Sequence, residues 1–461
     1  MYGQEDITYF FKKNEQREVE KFVGIEVYAT SHLEGIGGKY KQSYKDFIVR
    51  EITNKGKVLD LNYDNHSNQI SEDLKDKYTT FDLIKYNKDT FEAIRKISKA
   101  LGIPNNSIQY SGLKDKRSVS VQKLSIKGNH IERLNNLKIN DLQFKSVISS
   151  RKPVKMGSHL GNNFTILLRD IENNEKLEEN INQIFKFLTK NGYPNYFGLQ
   201  RFGTFRPNSH IVGRYLLEGN YKRTFEEFLL STFSTESFES NQARIDLEKT
   251  MDFEKAYQNF PRGLYYERKM IDYMIQNPND YEGCIYTIPR DLKNLLISSF
   301  QSYLFNKMIS LRREKGISLF EPIKGDVIGI LDDDYGSITQ IKYIYGGSYD
   351  EYLQKAISLN RASIIIPIIG SDTRINDFPL IKKLYKEILK QENISENIFN
   401  QNHIEESDFK GSIRAMMVKP IDLKLLEISD DEFNENKNKV KIQFSLIKGS
   451  YATMLLREII K

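Results

Sequence analysis

The sequence predicts an α+β fold, and three observations point to it. Runs rich in β-branched and aromatic residues cluster toward the two ends of the 461-residue chain. Stretches with apolar residues at helical spacing lie among and between them. The regular strand–helix alternation of a doubly wound sheet is missing. At this length about two or three structural units are expected. With 39% hydrophobic and 28% charged residues, the chain has ample material for a sizeable core.

Taken in order, Lys45 to Ile52 reads as a strand and Thr79 to Tyr86 as a second. Asp89 is placed to N-cap a helix whose Phe91, Ile94, Ile97 and Leu101 share a face, closed by Gly102 and Pro104. Strands follow at Val119 to Ile126 and Asn163 to Arg169. Asn173 opens a helix that carries Leu177, Ile181, Ile184 and Leu188 on one side, and Gly192-Tyr193-Pro194 stops it. From about residue 220 to 405 the texture changes to charged helical stretches with irregular connections. There Asp291 can cap a long helix running through Leu295, Phe300, Tyr303, Leu304 and Leu311 to Gly316. Near the end, Lys441 to Leu446 alternates, and Tyr451 to Ile459 reads as strand-like or buried.

Several function classes drop out. The most apolar run, Ala362 to Gly370, is too short for a bilayer and contains Pro367. The acidic opening Met1 to Asp6 does not read as a secretory signal, and the single Cys284 forms no intrachain disulfide, so a cytoplasmic protein is expected. Six scattered histidines give no ligand spacing, and no metal site is expected. Gly35-Ile36-Gly37-Gly38 lacks the spacing of a dinucleotide loop, and no P-loop pattern occurs. Net charge is only +6, yet Leu101 to Asp170 holds twelve basic residues against four acidic ones. Such a stretch suits a polyanion surface or, equally, a solvated lysine-rich face.

Two peptides stand out. In Tyr110-Ser111-Gly112-Leu113-Lys114-Asp115-Lys116-Arg117 one carboxylate sits among three cations, which favour its ionised form and keep it available as a nucleophile. The alternative is a salt-bridged surface turn. In Asn195-Tyr196-Phe197-Gly198-Leu199-Gln200-Arg201-Phe202-Gly203, aromatic faces, amides and a guanidinium suit a flat heteroaromatic ring on a nucleic-acid backbone. The alternative here is an aromatic turn packed into the core.

These peptides, in this order, resemble the TruD family of RNA pseudouridine synthases. The resemblance rests on Lys41 with Asp46-Phe47-Ile48-Val49-Arg50-Glu51, on Gly112 to Lys116 with Gln122 downstream, and on Gly157 to Phe164. It continues through Asn195 to Gly203, Ser299 to Asn306 and Lys448 to Glu458. Ser158 and Leu160 depart from the charged residues common in the family at those positions. The resemblance implies an antiparallel-sheet pseudouridine synthase domain built from residues 1–215 and 410–461. An α/β TRUD insertion would occupy residues 216–409. It implies that a uridine of tRNA, at position 13 in the family's usual substrate, is flipped out and isomerised with no cofactor or metal. Asp115 would be the nucleophile, attacking the ribose anomeric carbon or carbon 6 of uracil. Phe197 would stack on the target ring, Asn195 would orient that loop or the base, and Lys41 would hold charge at Asp115. Phe47 would pack near the nucleophile, and Lys114, Lys116, Arg117 and Arg201 would meet RNA. The expected partner is tRNA, or another RNA, with no obligatory protein partner, no membrane and a monomeric state. Two rivals are a base methyltransferase, which should show a cofactor loop, and a silent RNA-binding protein, which has no use for the Asp115 carboxylate.

Overall fold

A computed structural model describes residues 13–62, 77–332, 336–348, 350–400 and 409–461. One structural unit, residues 29–193, 332–337 and 418–461, is organised by a nine-stranded sheet. Seven strands form its path: β1 (Phe47–Ile52), β2 (Tyr78–Tyr86), β3 (Val119–Lys127), β4 (Leu142–Ser150), β5 (Gly161–Glu172), β6 (Ile421–Asp430) and β7 (Lys437–Ile447). Their order across the sheet is β6-β7-β5-β1-β3-β2-β4. Short strands Lys39–Tyr40 and Ile108–Tyr110 add to β5 and β3. Every pairing is antiparallel except β1 with β3 at the centre, where Ile48 to Arg50 meet Val119 to Val121 in parallel. A parallel pair needs a crossover, and here the long connection includes β2 and a helix.

The strand alternation read in the sequence sets the core. Val440, Ile442, Phe444 and Leu446 on β7 all point inward, and Phe444 stacks on Phe164 of β5 with ring centroids 5.2 Å apart. Each such buried side chain contributes roughly 1.5–3 kcal/mol. Helix α1 (Thr90–Leu101) is capped as expected: the Asp89 carboxylate accepts from the Glu92 amide, and Gly102 closes it at φ 64°. Ala93, Ile94, Ile97 and Leu101 pack on Phe81, Leu83, Leu124 and Ile126. Phe91 falls outside this stripe and is exposed.

Helix α2 (Leu177–Asn191) begins four residues later than Asn173. The Asn174 side chain instead accepts from the Lys176 amide, a local turn that delays the helix. Leu177, Ile181, Ile184 and Leu188 are buried on its inner face, as their spacing requires. Tyr451 to Ile459 is not a strand but helix α3 (Ala452–Ile460). Nearly every residue in it is buried, and a run this short and apolar does not distinguish helix from strand. Its buried Glu458 carboxylate accepts from the amides of Ala29 and Thr30, at 3.1 and 3.0 Å.

The other unit comprises residues 1–28, 194–331 and 338–417. The units thus divide at 28/29, 193/194 and 417/418, where the sequence reading kept residues 1–215 together and placed boundaries at 215/216 and 409/410. Residues 194–215 join this unit because helix Ser209–Leu217 packs along the long helix Arg290–Glu314. The backbone of Leu296 lies so near Gly213 that a Cβ there would come within 2.1 Å of its carbonyl oxygen. The long helix starts behind Pro289, and Asp291 sits in its first turn without being the cap. Of the apolar residues read along it in the sequence, Leu295 is exposed. The remainder is a set of shorter helices and a four-stranded sheet in the order Ser337–Ile344, Val327–Asp332, Ala362–Ile368, Ser412–Ala415. No helix among the described residues is long and apolar enough to cross a membrane.

In the sheet unit, buried Arg169 on β5 joins three carboxylates, with Asp46, Asp431 and Glu432 at 3.0, 2.8 and 3.0 Å. These bonds raise the guanidinium above its ordinary value and hold Glu432 down to about 2. Arg169→Met is expected to destabilise the protein by about 3–5 kcal/mol, because it strands buried Asp46 and Asp431. Urea unfolding at pH 7 measures this.

Candidate active site

Asp115 lies on a loop between Ile108–Tyr110 and β3, and its neighbours pin that loop from several sides. The buried Glu51 carboxylate accepts from Lys114 Nζ at 2.9 Å and Ser111 Oγ at 2.5 Å, and from the Lys123 amide at 3.2 Å. Gln122 Nε2 donates to the Gly112 carbonyl at 3.1 Å. Thr90 Oγ1 accepts from the Lys114 amide at 3.0 Å and donates to Gln122 Oε1 at 3.0 Å. Ser118 Oγ donates to the Asp115 carbonyl at 2.8 Å. Behind the loop, the His159 ring contacts the Ser111 carbonyl through Nδ1, and a Cβ on Gly112 would collide with that ring at 2.8 Å. Burial, with the charge of Lys114, holds the His159 imidazole below its usual value.

Lys41 Nζ sits 3.1 Å from Asp115 Oδ2, its side chain only 4% exposed while that of Asp115 is 53% exposed. Lys41 adopts a left-handed φ of 60°, a strained conformation for a side chain of this kind. The structure around it secures that turn. Lys41 follows the short strand on β5, and Ser43 caps the turn Tyr44–Asp46 with a reciprocal bond from its own amide to Asp46. Asp46 is in turn held by Arg169. The Lys41 ammonium also lies over the Phe47 ring, 4.4 Å from its centroid.

The electrostatic result is directional. Lys41 beside Asp115 holds its carboxyl below the usual carboxylate range against the opposing effect of desolvation. Lys85 and Lys114 add to the effect. Lys85 on β2 is fully buried, donating to the Lys88 carbonyl at 2.8 Å, and burial pulls its ammonium down to about 8.

Several expectations change here. Lys114 is not a phosphate contact, because its side chain is spent on Glu51 inside the protein. Phe47 is buried and serves as the platform for Lys41 rather than meeting RNA. Lys116 and Arg117 do lie toward solvent; Lys116 is 4.0 Å from Glu92, and Arg117 donates to the Gln42 carbonyl. Glu51 and Gln122 stood in the matched peptides, but Thr90 and Lys85 carried no local signal. Their importance comes from β2 and α1 being placed beside the loop.

The Asn195 to Gly203 peptide belongs to the other unit, where the long helix organises it. Ser299, Ser302 and Asn306, spaced three and four residues apart, share a helix face. Ser299 Oγ donates to the Arg201 carbonyl at 2.7 Å, and Ser302 Oγ accepts from Arg201 Nε at 3.2 Å. Asn306 accepts from the Phe197 amide and donates back to its carbonyl, at 2.9 and 3.0 Å. Gly203 closes the block at φ 110°, with the Arg206 carbonyl where a Cβ would sit. Phe197 is 8% exposed, edge-on to Phe305 at 5.4 Å. Arg201 and Arg414 place guanidinium carbons 5.7 and 4.4 Å from the Phe197 ring centroid. Asn195 is buried and its amide is committed on both sides, to Arg414 and to the Ala415 carbonyl. Of the two roles considered for Asn195, this arrangement serves the loop rather than a base. Arg414 was missed because it lies more than two hundred residues downstream in an unremarkable strand.

Among the described residues no group of three His, Cys, Asp or Glu could hold a metal ion.

Comparison with known proteins follows the same peptides. The family model described as tRNA pseudouridine synthase D (TruD) matches residues 22–459. A Methanosarcina barkeri protein named "Probable tRNA pseudouridine synthase D" is 32% identical over 450 residues, covering 96% of this chain and 98% of its own. A Thermococcus sibiricus protein of the same name is 32% identical over 436 residues, covering 94% and 96%. A crystal structure of a TruD protein from Methanosarcina mazei is similar at a TM-score of 0.78 and 31% identity. It covers 96% of this chain and 98% of that one.

For the Lys41–Asp115 pair the sign of the pH effect is fixed. The folded carboxyl value lies below the unfolded one, so the pair's stabilisation is present above about pH 3.9 and fades as pH falls through the folded value. Lys41→Met is expected to move the Asp115 titration midpoint upward, read by carbon-13 NMR of labelled aspartate against an Asp115→Asn assignment control. A midpoint unchanged from that of the native protein would show that Lys41 does not hold the carboxylate.

Proposed function

The chain belongs to the TruD family of tRNA pseudouridine synthases, which are isomerases, and from that premise we propose that Asp115 is its nucleophile and a flipped-out tRNA uridine its substrate. The uridine at position 13 is the proposed target, following the family resemblance. The observation that carries this reading is the accessible Asp115 carboxylate held ionised by a buried lysine.

The chemistry is an isomerisation, so it needs no net input of atoms. The bond between the ribose anomeric carbon and uracil N1 breaks, and one to uracil C5 forms. The proton on C5 is lost and N1 gains one. An ionised carboxylate serves either at the anomeric carbon or at carbon 6 of uracil, and in both cases the charge must be present before attack. Lys41 supplies that condition without itself being exposed. Because Asp115 is tethered through the Ser111, Lys114 and Ser118 contacts, its approach is set before RNA arrives.

Binding would draw on other groups. Extruding a uridine costs a few kcal/mol, to be offset by contacts to the rest of the RNA. Lys116, Arg117 and Arg201 are the proposed backbone contacts, with Phe197 stacking on the uracil. The proposed catalytic domain contains the sheet unit, and the inserted domain supports RNA binding.

Asp115→Asn is expected to fold, to bind tRNA within about threefold of the native protein, and to form no pseudouridine. Mass spectrometry of tRNA incubated with the pure variant is the assay, and residual pseudouridine would remove Asp115 from the nucleophile's role. Changing Lys116 and Arg117 to Gln is expected to flatten the slope of log affinity against log salt by about one to two. An unaltered slope would return this pair to an ordinary solvated face.

A further inference from the structure

We propose that Arg414 is a positioning residue for the reaction, acting through Phe197. Resting on the stacking role proposed above, it adds a group on a distant strand that determines how that ring is presented. Arg414 lies on Ser412–Ala415, held in the sheet by pairing with Ile366 of the neighbouring strand. Its guanidinium uses its edge and its face for two different tasks. Along the edge, Nε donates to the Asn195 carbonyl at 3.0 Å and Nη2 to Asn195 Oδ1 at 2.6 Å. Over the face, Cζ lies 4.4 Å from the Phe197 ring centroid. The same cation is 5.7 Å from the Phe305 centroid, and Phe305 meets Phe197 edge-on.

This arrangement over-determines the ring. Asn306 bonds the Phe197 backbone at both its amide and its carbonyl, fixing where the side chain starts. Phe305 and Arg414 then limit where the ring can turn. A planar guanidinium can clamp a neighbouring amide and cover an aromatic face simultaneously, whereas a lysine ammonium cannot do both. The Arg414 guanidinium, with that of Arg201 5.7 Å from the same centroid, bounds the ring surface that a base could meet. It also fixes the ring's tilt before RNA binds, so Arg414 contributes order that would otherwise be lost on binding.

The test is a double-mutant cycle on steady-state pseudouridine formation with a tRNA transcript, together with thermal unfolding of each variant. Arg414→Gln is expected to lower kcat about 5- to 100-fold, the range matching one stacked base, while KM changes by less than about threefold. Arg414→Lys is expected not to restore kcat. Combined with Phe197→Ala, Arg414→Gln is expected to add no further loss beyond that of Phe197→Ala alone. If Arg414→Gln fails to fold, Arg414→Lys carries the same cycle. Full activity in Arg414→Lys, independent multiplication of the two losses, or a raised KM with unchanged kcat would each overturn the proposal; the last would make Arg414 a general RNA contact. Unchanged turnover in Phe197→Ala would overturn both this inference and the stacking role beneath it. A damaged Phe197→Ala beside an unaffected Arg414→Gln would overturn this inference alone.

Discussion

The sheet unit depends on satisfying one buried carboxylate. Glu51 is 1% exposed, and an ionised group taken so far from water must be matched in charge and in hydrogen bonds or the fold loses several kcal/mol. Its partners come from Ser111, Lys114 and Lys123. Two of the three are on the loop that bears Asp115, so the requirement that buries Glu51 also fixes the candidate nucleophile. Strand β1 serves both sides of the pair: Glu51 near its end holds the Asp115 loop, and Phe47 at its start lies under Lys41.

The same logic explains why some basic residues between Leu101 and Asp170 are turned inward, while Lys127, Arg133, Lys138, Lys152 and Lys155 lie exposed. Lys114 is taken by Glu51, Lys123 by Asp82, and Arg169 by Asp46, Asp431 and Glu432. All of those acids lie outside the segment in sequence. A local charge count therefore overstates the positive surface, because the acids that balance it are supplied by strands and turns that only folding brings near. Lys116 and Arg117, which stay toward solvent, are what remains for a polyanion at this loop.

In the helical unit the constraint is different in kind. The peptide from Asn195 to Gly203 has few regular backbone bonds of its own, and the long helix supplies replacements through Ser299 and Asn306, while Ser302 holds the Arg201 side chain. A helix is suited to this task because its side chains three and four apart stand on one face at fixed spacing. The two peptides read separately in the sequence, Asn195 to Gly203 and Ser299 to Asn306, are thus one structural element. Ser299 and Asn306 of the second, which look out of place on a buried helix, meet the backbone of the first.

By itself the sequence determined the α+β class, most strands of the sheet, the caps of helix α1 and the family, because these rest on local periodicity, local hydrogen bonds and ordered peptides. It also marked Asp115, Lys41 and Phe197. Tertiary structure decided the rest. It turned Tyr451 to Ile459 into helix α3, a run too short and too apolar for its pattern to decide between helix and strand. It withdrew Lys114 and Phe47 from the surface, committed both ends of the Asn195 amide, and brought Thr90, Lys85 and Arg414 to groups far from them in sequence. The physical reason is common to all of these. A side chain's chemistry can be read from its identity, but whether it faces water, an opposite charge or a ring depends on partners brought to it by the packing of distant elements.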